Sequence, residues 1–339
     1  MNTEILQYNE ESIALASEII KNGGLVGMPT ETVYGLAADA LNEKAVSDIF
    51  VAKGRPQDNP LIVHISSMDM LSPLVREIPD VALRLAERFW GGPLTMIFPK
   101  SDIVPDVTSG GLDTVAVRMP SSDAARALIE KSGRPIAAPS ANLSGSPSPT
   151  TAQHVYADMK GRIPLIIDAG ACSCGVESTV ICFKDGRIHI LRPGGVTAEM
   201  LSEFAEVTVD KAVCEKPAED ERVLSPGMKY KHYSPKADVI VVDEHGDDFI
   251  NYCKSNPKGK TLALGIGVEE KDFFVDYGAT DELQAQRLFS LLRDADENGV
   301  EKVFVEMPSK NGVGLAVYNR LLRAAGFKVV KNDDKADKT

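Results

Sequence analysis

Over its first two hundred residues the chain alternates short apolar runs with stretches of helical periodicity, then breaks the pattern with two runs in close succession. The runs lie at Leu25–Met28, Leu61–Ile65, Leu94–Phe98, Thr114–Met119, Leu165–Ile167, Thr179–Phe183 and His189–Leu191. Ile13, Ala16, Ile19 and Ile20 recur at helical spacing over 11–22, where Gly23-Gly24 supplies a stop. Further helical patterns read near 43–52, 80–90, 122–132 and 151–160. Strand and helix in alternation predict an α/β layer structure. The last two runs flank Asp185-Gly186, a dipeptide suited to a tight hairpin turn. A purely parallel, doubly wound sheet has no place for that hairpin, so the expectation is a twisted mixed sheet with flanking helices over 1–208.

From Val209 to Lys236 the pattern gives way to charge, Pro and Gly, which reads as a linker. Within it, SPGMKYKHYSPK crowds two Tyr, one His, one Met and three Lys into twelve residues, more chemistry than a spacer needs. A second α/β unit then reads over 237–331. Its strands fall at Val239–Val242, Thr261–Leu264, Phe273–Val275 and Lys302–Glu306, with helices at 246–255, 281–297 and 313–325, a smaller Rossmann-like layer structure. Residues 332–339 form a charged tail.

A length of 339 residues suits two domains. The net charge of −12 argues against a general nucleic-acid coat, which needs a cationic surface, although a local basic cleft remains compatible with it. No apolar run approaches the roughly 20 residues that span a bilayer, and MNTEILQYNEESIA lacks the pattern of a signal peptide. Five cysteines form no disulfide framework and point to a reducing cytoplasm. Cys172 and Cys174 have no second pair at the spacing of a structural zinc site, so no protein-held metal is expected.

The common nucleotide signatures are missing. Gly259-Lys260-Thr261 lacks the upstream glycine of a P-loop, and Gly265-x-Gly267 and Gly312-x-Gly314 lack the third glycine of the dinucleotide fingerprint. Neither H-E-x-x-H nor G-x-S-x-G occurs. Four clusters carry chemistry instead. Lys53-Gly54-Arg55, with Asn59 and His64 close behind, sets a mobile point charge and a planar fork in a stiff loop, which suits a phosphate-bearing ligand. RPIAAPSANLSGSPSPT at 134–150 offers hydroxyls and stiffened backbone N–H groups past a strand end, Ser140 and Ser148 among them. In DTVAVRMP at 113–120, Thr114, Ala116 and Arg118 share one strand face, and Arg118 wants a carboxylate, from the protein or from a substrate. Finally, GVESTVI at 175–181 and LRPGG at 191–195 flank the hairpin. Ser178 could be a plain strand hydroxyl and Arg192 a turn cation, and neither points to a site alone.

Taken in order, PTETVYGL at 29–36, K-x-R-x-x-x-N-P-L from Lys53, PSAN-x-SG from Pro139 and the later SPGMKYKHYSPKA closely resemble the threonylcarbamoyl-AMP synthase family in its two-domain form. In that family a YrdC-like catalytic domain is joined to a smaller C-terminal domain by an ordered linker. The resemblance is strong over 24–195 and looser after 240, where GVGLAVYNRLLRAAG at 312–326 matches best. It implies synthesis of L-threonylcarbamoyl-adenylate from L-threonine, bicarbonate and ATP with release of pyrophosphate, for threonylcarbamoyladenosine at tRNA position 37. Carried over by motif, Thr32, His64, Arg118 and Ser178 would contact threonine, and Lys53, Arg55, Asn59, Thr114, Ser140, Ser148 and Arg192 the nucleotide. Tyr230, with His232 nearby, would close the linker over the adenylate. Mg²⁺ would arrive with ATP. The product would pass to the tRNA threonylcarbamoyltransferase machinery, without stable nucleic-acid binding or membrane association.

The chemistry is compatible with these residues. The amine adds to bicarbonate or CO₂ and the carbamate oxygen attacks the α-phosphate, a route that needs positioning and charge stabilisation, not a protein nucleophile. Lys53, Arg55 and Arg118 would carry it. Two rivals make different demands. An RNA-binding module of the same fold needs a basic concavity that the −12 charge disfavours. A carbamoyltransferase of the hydrogenase-maturation type needs acylphosphatase and zinc-finger segments, for which the chain has neither the length nor the C-x-x-C pairs.

Overall fold

The protein is described here by a computed structural model that covers residues 1–57, 59–216, 233–257 and 259–331. The chain divides into two compact units, the first comprising Met1–Ser144 and Ser148–Val213, the second most of the chain from 233 onward.

In the first unit the elements run β1 (Glu4–Gln7), α1 (Glu10–Lys21), β2 (Val26–Met28), β3 (Gly35–Asp39), α2 (Glu43–Lys53), β4 (Ile62–His64), α3 (Asp80–Phe89), β5 (Leu94–Pro99), α4 (Asp106–Ser109) and β6 (Thr114–Arg118). They continue with α5 (Asp123–Ser132), β7 (Ile136–Ala137), α6 (Ala152–Met159), β8 (Leu165–Asp168), β9 (Thr179–Lys184), β10 (Arg187–Arg192), α7 (Ala198–Ser202) and β11 (Val207–Val209). The strands form one mixed sheet in the order β1-β8-β2-β3-β7-β4-β6-β5-β9-β10-β11. The expected hairpin is β9–β10, antiparallel, with Asp185 at φ 52° and Gly186 at φ 73°. Two successive positive φ values are what a two-residue turn of matching twist requires.

Every strand expected in this unit is present, and four further ones, β1, β3, β7 and β11, complete the sheet. β11 ends at Val209, where the linker was expected to begin. β3 is GLAAD and wholly buried. Its small residues permit close approach, since a Cβ on Gly35 would lie 2.9 Å from that of Ala138.

Strand alternation sorts the central residues onto two faces. Val63, Met96, Phe98, Val115, Val117 and Ile181 join the main core. Ile62, Ile97, Ala116, Val180 and Leu191 form a small apolar patch on the other face. His64, Thr95, Arg118 and Ser178 each stand two residues from a member of that patch, so they share its face. Register aligns them further, because His64 and Thr95 are both direct partners of Arg118 on the neighbouring strands.

The second unit contains β12 (Asp238–Val242), α8 (Gly246–Ser255), β13 (Thr261–Gly265), β14 (Phe274–Asp276), α9 (Asp281–Glu297), β15 (Lys302–Glu306), α10 (Gly314–Ala324) and β16 (Val329–Val330). Its sheet is parallel, in the order β14-β13-β15-β12-β16. At the carboxyl end of such a sheet, helix N-terminal N–H groups usually await an anionic ligand. Here the buried Glu306 carboxylate accepts from Gly246 N at 3.1 Å and from Ile266 N at 2.8 Å. The unit supplies its own anion. Glu306→Ala would strand both donors, and calorimetric unfolding is expected to show a loss of about 2–4 kcal/mol, with Glu306→Gln milder because its amide oxygen still accepts. Equal losses for the two variants would mean that the carboxylate charge, not acceptance, matters there.

Candidate active site

Arg118 closes β6 with its side chain buried on the patch-bearing face. Its Nη2 lies 2.7 Å from Glu31 Oε1, its Nη1 donates to Thr32 Oγ1 at 2.8 Å, and its Nε donates to Gly92 O at 3.3 Å. The loop between β2 and β3 delivers both acidic and hydroxyl partners. Thr30 Oγ1 shapes that loop, bonding Thr32 Oγ1 at 2.8 Å and donating to Val33 O at 2.5 Å. Burial alone would raise the Glu31 carboxyl, but the Arg118 charge and hydrogen bonds from Arg118 and the backbone hold it below the usual carboxylate range.

His64 stands directly beside Arg118. Burial, and next the Arg118 charge, push its imidazole down to about 3, so it is neutral at pH 7. Stability should therefore depend on pH with a definite sign. Unfolding releases the imidazole to its ordinary value of 6.5, so below that pH the unfolded chain binds the extra proton. Unfolding free energy is expected to fall as pH drops from 6.5 toward 3, with a slope approaching about 1.4 kcal/mol per pH unit. Glu31, depressed in the fold, adds in the same direction below 4.5. Denaturant titrations of wild type and His64→Gln between pH 7 and 5 check this. Identical slopes in the two proteins would contradict it.

Ser178, immediately before β9, bonds Thr95 Oγ1 at 2.8 Å. Arg192, buried at the end of β10, donates from Nη2 to Ser178 Oγ at 3.1 Å and from Nε to Ser178 O at 3.0 Å. Gly194 makes the arrangement possible, since a Cβ there would lie 2.3 Å from Thr179 N. The hairpin thus turns two residues that looked ordinary in sequence into one cluster. Ser148 joins the same neighbourhood, donating to Glu177 Oε1 at 2.5 Å.

Lys53 ends α2, where Gly54 adopts the left-handed C-cap at φ 62°. Its buried ammonium donates to Ser140 O and to Asn142 O, the latter at 2.8 Å, and Ser140 Oγ donates to Asn142 Oδ1 at 2.5 Å. The 138–150 loop is stitched to the start of β3 through Leu36 N to Pro139 O at 2.7 Å and Ala141 N to Tyr34 O at 2.8 Å. Arg55 is half-buried just past the α2 C-cap, and Asn59 is fully buried against Gly110, whose close approach leaves no room for a side chain. Thr114 stands apart. It opens β6, half-buried, four residues before Arg118, roughly 13 Å away along an extended strand. The predicted residues therefore gather at two ends of the β4–β6 pair: Thr32, His64, Arg118 and Ser178 at one, and Lys53, Ser140, Asn59 and Thr114 toward the other. Tyr230 and His232 lie outside the described residues.

The sequence reading missed Glu31, Thr95, Asn142 and Glu177. Glu31, Asn142 and Glu177 lie inside motifs already named, PTETVYGL, PSAN and GVESTVI. What marks them is a partner far along the chain. Among the described residues no group of three His, Cys, Asp or Glu side chains could hold a metal ion, and no helix is long and apolar enough to cross a membrane.

A twisted mixed sheet with Arg118 and several hydroxyls on one face, followed by a small parallel α/β unit, defines a class of two-unit α/β protein. Residues 18–194 match the family described as Telomere recombination, the Sua5, YciO and YrdC group, and residues 196–326 match Threonylcarbamoyl-AMP synthase, C-terminal domain. The chain is 48% identical to the threonylcarbamoyl-AMP synthase of Pyrococcus abyssi, over 96% of this chain and 97% of that one. It is 42% identical to that of Bacillus subtilis, over 97% of each. The crystal structure of P. abyssi Sua5 complexed with L-threonine superposes with a TM-score of 0.91 at 46% identity, covering 98% of this chain and 99% of that one. The chain belongs to the threonylcarbamoyl-AMP synthase family.

Proposed function

We propose that the protein makes L-threonylcarbamoyl-adenylate from L-threonine, bicarbonate and ATP, releasing pyrophosphate, for threonylcarbamoyladenosine at tRNA position 37. The observation that carries this reading is a buried arginine among hydroxyls at one end of the β4–β6 pair and a buried lysine tied to a Ser/Asn loop toward the other. An amino acid carboxylate suits the first, and nucleotide phosphates the second.

Arg118 takes the threonine carboxylate, and Thr32, neutral His64 and Ser178 surround the rest of that substrate. A neutral imidazole can accept or donate one hydrogen bond without adding charge. The bound ammonium gives up a proton, the free amine adds to CO₂ with loss of a proton or to bicarbonate with loss of water, and the carbamate oxygen then attacks the α-phosphate and expels pyrophosphate. Lys53 and Arg55, with Asn59, Thr114 and Ser140, hold the nucleotide and offset charge on the departing pyrophosphate, while Ser148 and Arg192 reach it from the Ser178 side. Magnesium enters as part of the ATP substrate, held by phosphate oxygens and water. Work of this kind needs alignment and a dry site more than a protein nucleophile. The product goes on to the machinery that modifies tRNA, with no stable nucleic-acid complex of this chain, and the reaction belongs to the cytoplasm.

The test is pyrophosphate release from ATP and Mg²⁺ with L-threonine and bicarbonate omitted in turn. Release that requires both, and that drops sharply with serine, supports the synthase. Release without threonine points to another acceptor and overturns the assignment.

A further inference from the structure

We propose that Glu31, held 2.7 Å from Arg118 and sealed with it from solvent, is the residue that makes the pocket accept zwitterionic α-amino acids and refuse simple carboxylates. The inference rests on the amino-acid site proposed above and goes beyond it by naming what selects the ligand's charge state.

A buried guanidinium by itself would take any carboxylate. It would also take bicarbonate, which the reaction must supply in the same place. Glu31 changes the balance. The titratable groups acting on one another around Arg118 are Glu31, His64, Cys172 and Cys174. His64 is neutral, and burial pushes both thiols up, so they are neutral as well. Arg118 and Glu31 offset one another, buried Arg192 and Glu177 beside Ser178 carry one formal charge of each sign, and the pocket is already balanced.

A lone anion entering this pocket leaves a buried negative charge with no counter-ion, which low-dielectric surroundings penalise heavily. A zwitterion brings its own cation and leaves the balance intact. Donor arithmetic still allows recognition. Arg118 has five N–H groups, of which hydrogen bonds engage one on Nε and one on Nη1 while Nη2 faces Glu31 as an ion pair, so N–H groups remain for a substrate carboxylate. Glu31 itself is anchored by backbone as well as by Arg118, with Cys174 N donating to Glu31 O at 2.8 Å. It therefore acts as a fixed charge.

Calorimetric titration of the full-length protein with L-threonine and with 3-hydroxybutyrate, which has the same carbon chain but no amino group, tests this. Wild type should bind 3-hydroxybutyrate at least roughly 100-fold more weakly than threonine. In Glu31→Gln the gap should shrink to about tenfold or less, because the anion then meets an unbalanced guanidinium. Glu31→Asp keeps the charge and should keep the gap, and it decides the matter if the glutamine variant does not fold. A structural role for Glu31 would weaken both ligands together and leave their ratio unchanged. Equal binding of the two ligands by wild type overturns the proposal, as does a gap that persists in folded Glu31→Gln or collapses in Glu31→Asp. Threonine binding without pyrophosphate release would overturn the synthase reaction while leaving this filter standing.

Discussion

Arg118→Met is expected to abolish threonine-dependent pyrophosphate release and to destabilise the first unit at the same time. The activity loss has a direct source. A charge-assisted pair to the substrate carboxylate is removed, and truncating one partner of a buried pair costs about 2–5 kcal/mol, or roughly 30- to 4,000-fold. KM for threonine should rise strongly while ATP binding in the absence of threonine stays near wild type. The stability loss has a different source. Glu31 would be left buried without its counter-charge, and breaking such a pair typically costs about 3–5 kcal/mol, less if the carboxyl protonates. The double variant Glu31→Gln/Arg118→Met separates the two effects. It should recover most of the stability and none of the activity, because replacing a whole buried pair is far gentler than halving it. Activity recovered by the double variant would remove Arg118 from the substrate-binding role.

Lys53→Met carries the second large effect. The residue is 3% exposed and its ammonium holds the carbonyls of Ser140 and Asn142. Methionine fills much the same space but leaves two carbonyls without their donor and takes away the fixed charge opposite the phosphates. A combined loss of roughly 100- to 1,000-fold in kcat/KM for ATP is expected, the scale seen when one donor to a developing anion is lost. Threonine affinity measured without nucleotide should change less than about twofold, because the Arg118 cluster sits at the other end of the strand pair. Lys53→Arg should not rescue. A guanidinium is wider than the ammonium that fits between two carbonyls of one tight loop. If threonine and ATP affinities fell together in Lys53→Met, the loop would be a general structural tether, and its phosphate role would fail.

The alternation of strands and helices, the hairpin at Asp185-Gly186 and the second α/β unit are all legible in residue order. Each of these rests on local periodicity or on a turn dipeptide, so local order suffices to see it. Residue order also shows that Thr114, Ala116 and Arg118 share a face, because parity along a strand needs no tertiary information. Four strands of the sheet were hidden for opposite reasons. β3 is built of Gly, Leu, two Ala and Asp, residues with little strand preference, and it is a strand because neighbours on both sides pair with it. β7 has only two residues, and β1 and β11 are short strands at the sheet's edges.

The site divides along the same line. Lys53, Arg55, Arg118 and the PSAN loop were visible because unusual residue types crowd together in sequence. Ser178 and Arg192 do not point to a site on their own in sequence, and only the hairpin and the close approach at Gly194 place one on the other. Arg118 plainly needed a carboxylate, and sequence left open whether protein or substrate would provide it. The tertiary structure supplies one from Glu31, on a loop between two strands that neither precede nor follow Arg118 closely in the chain, and leaves N–H groups of Arg118 for a second. The physical reason is general. Period and turn chemistry act between neighbours, so they are written in order along the chain, whereas a buried charge finds its partner through burial itself, which sequence distance does not encode.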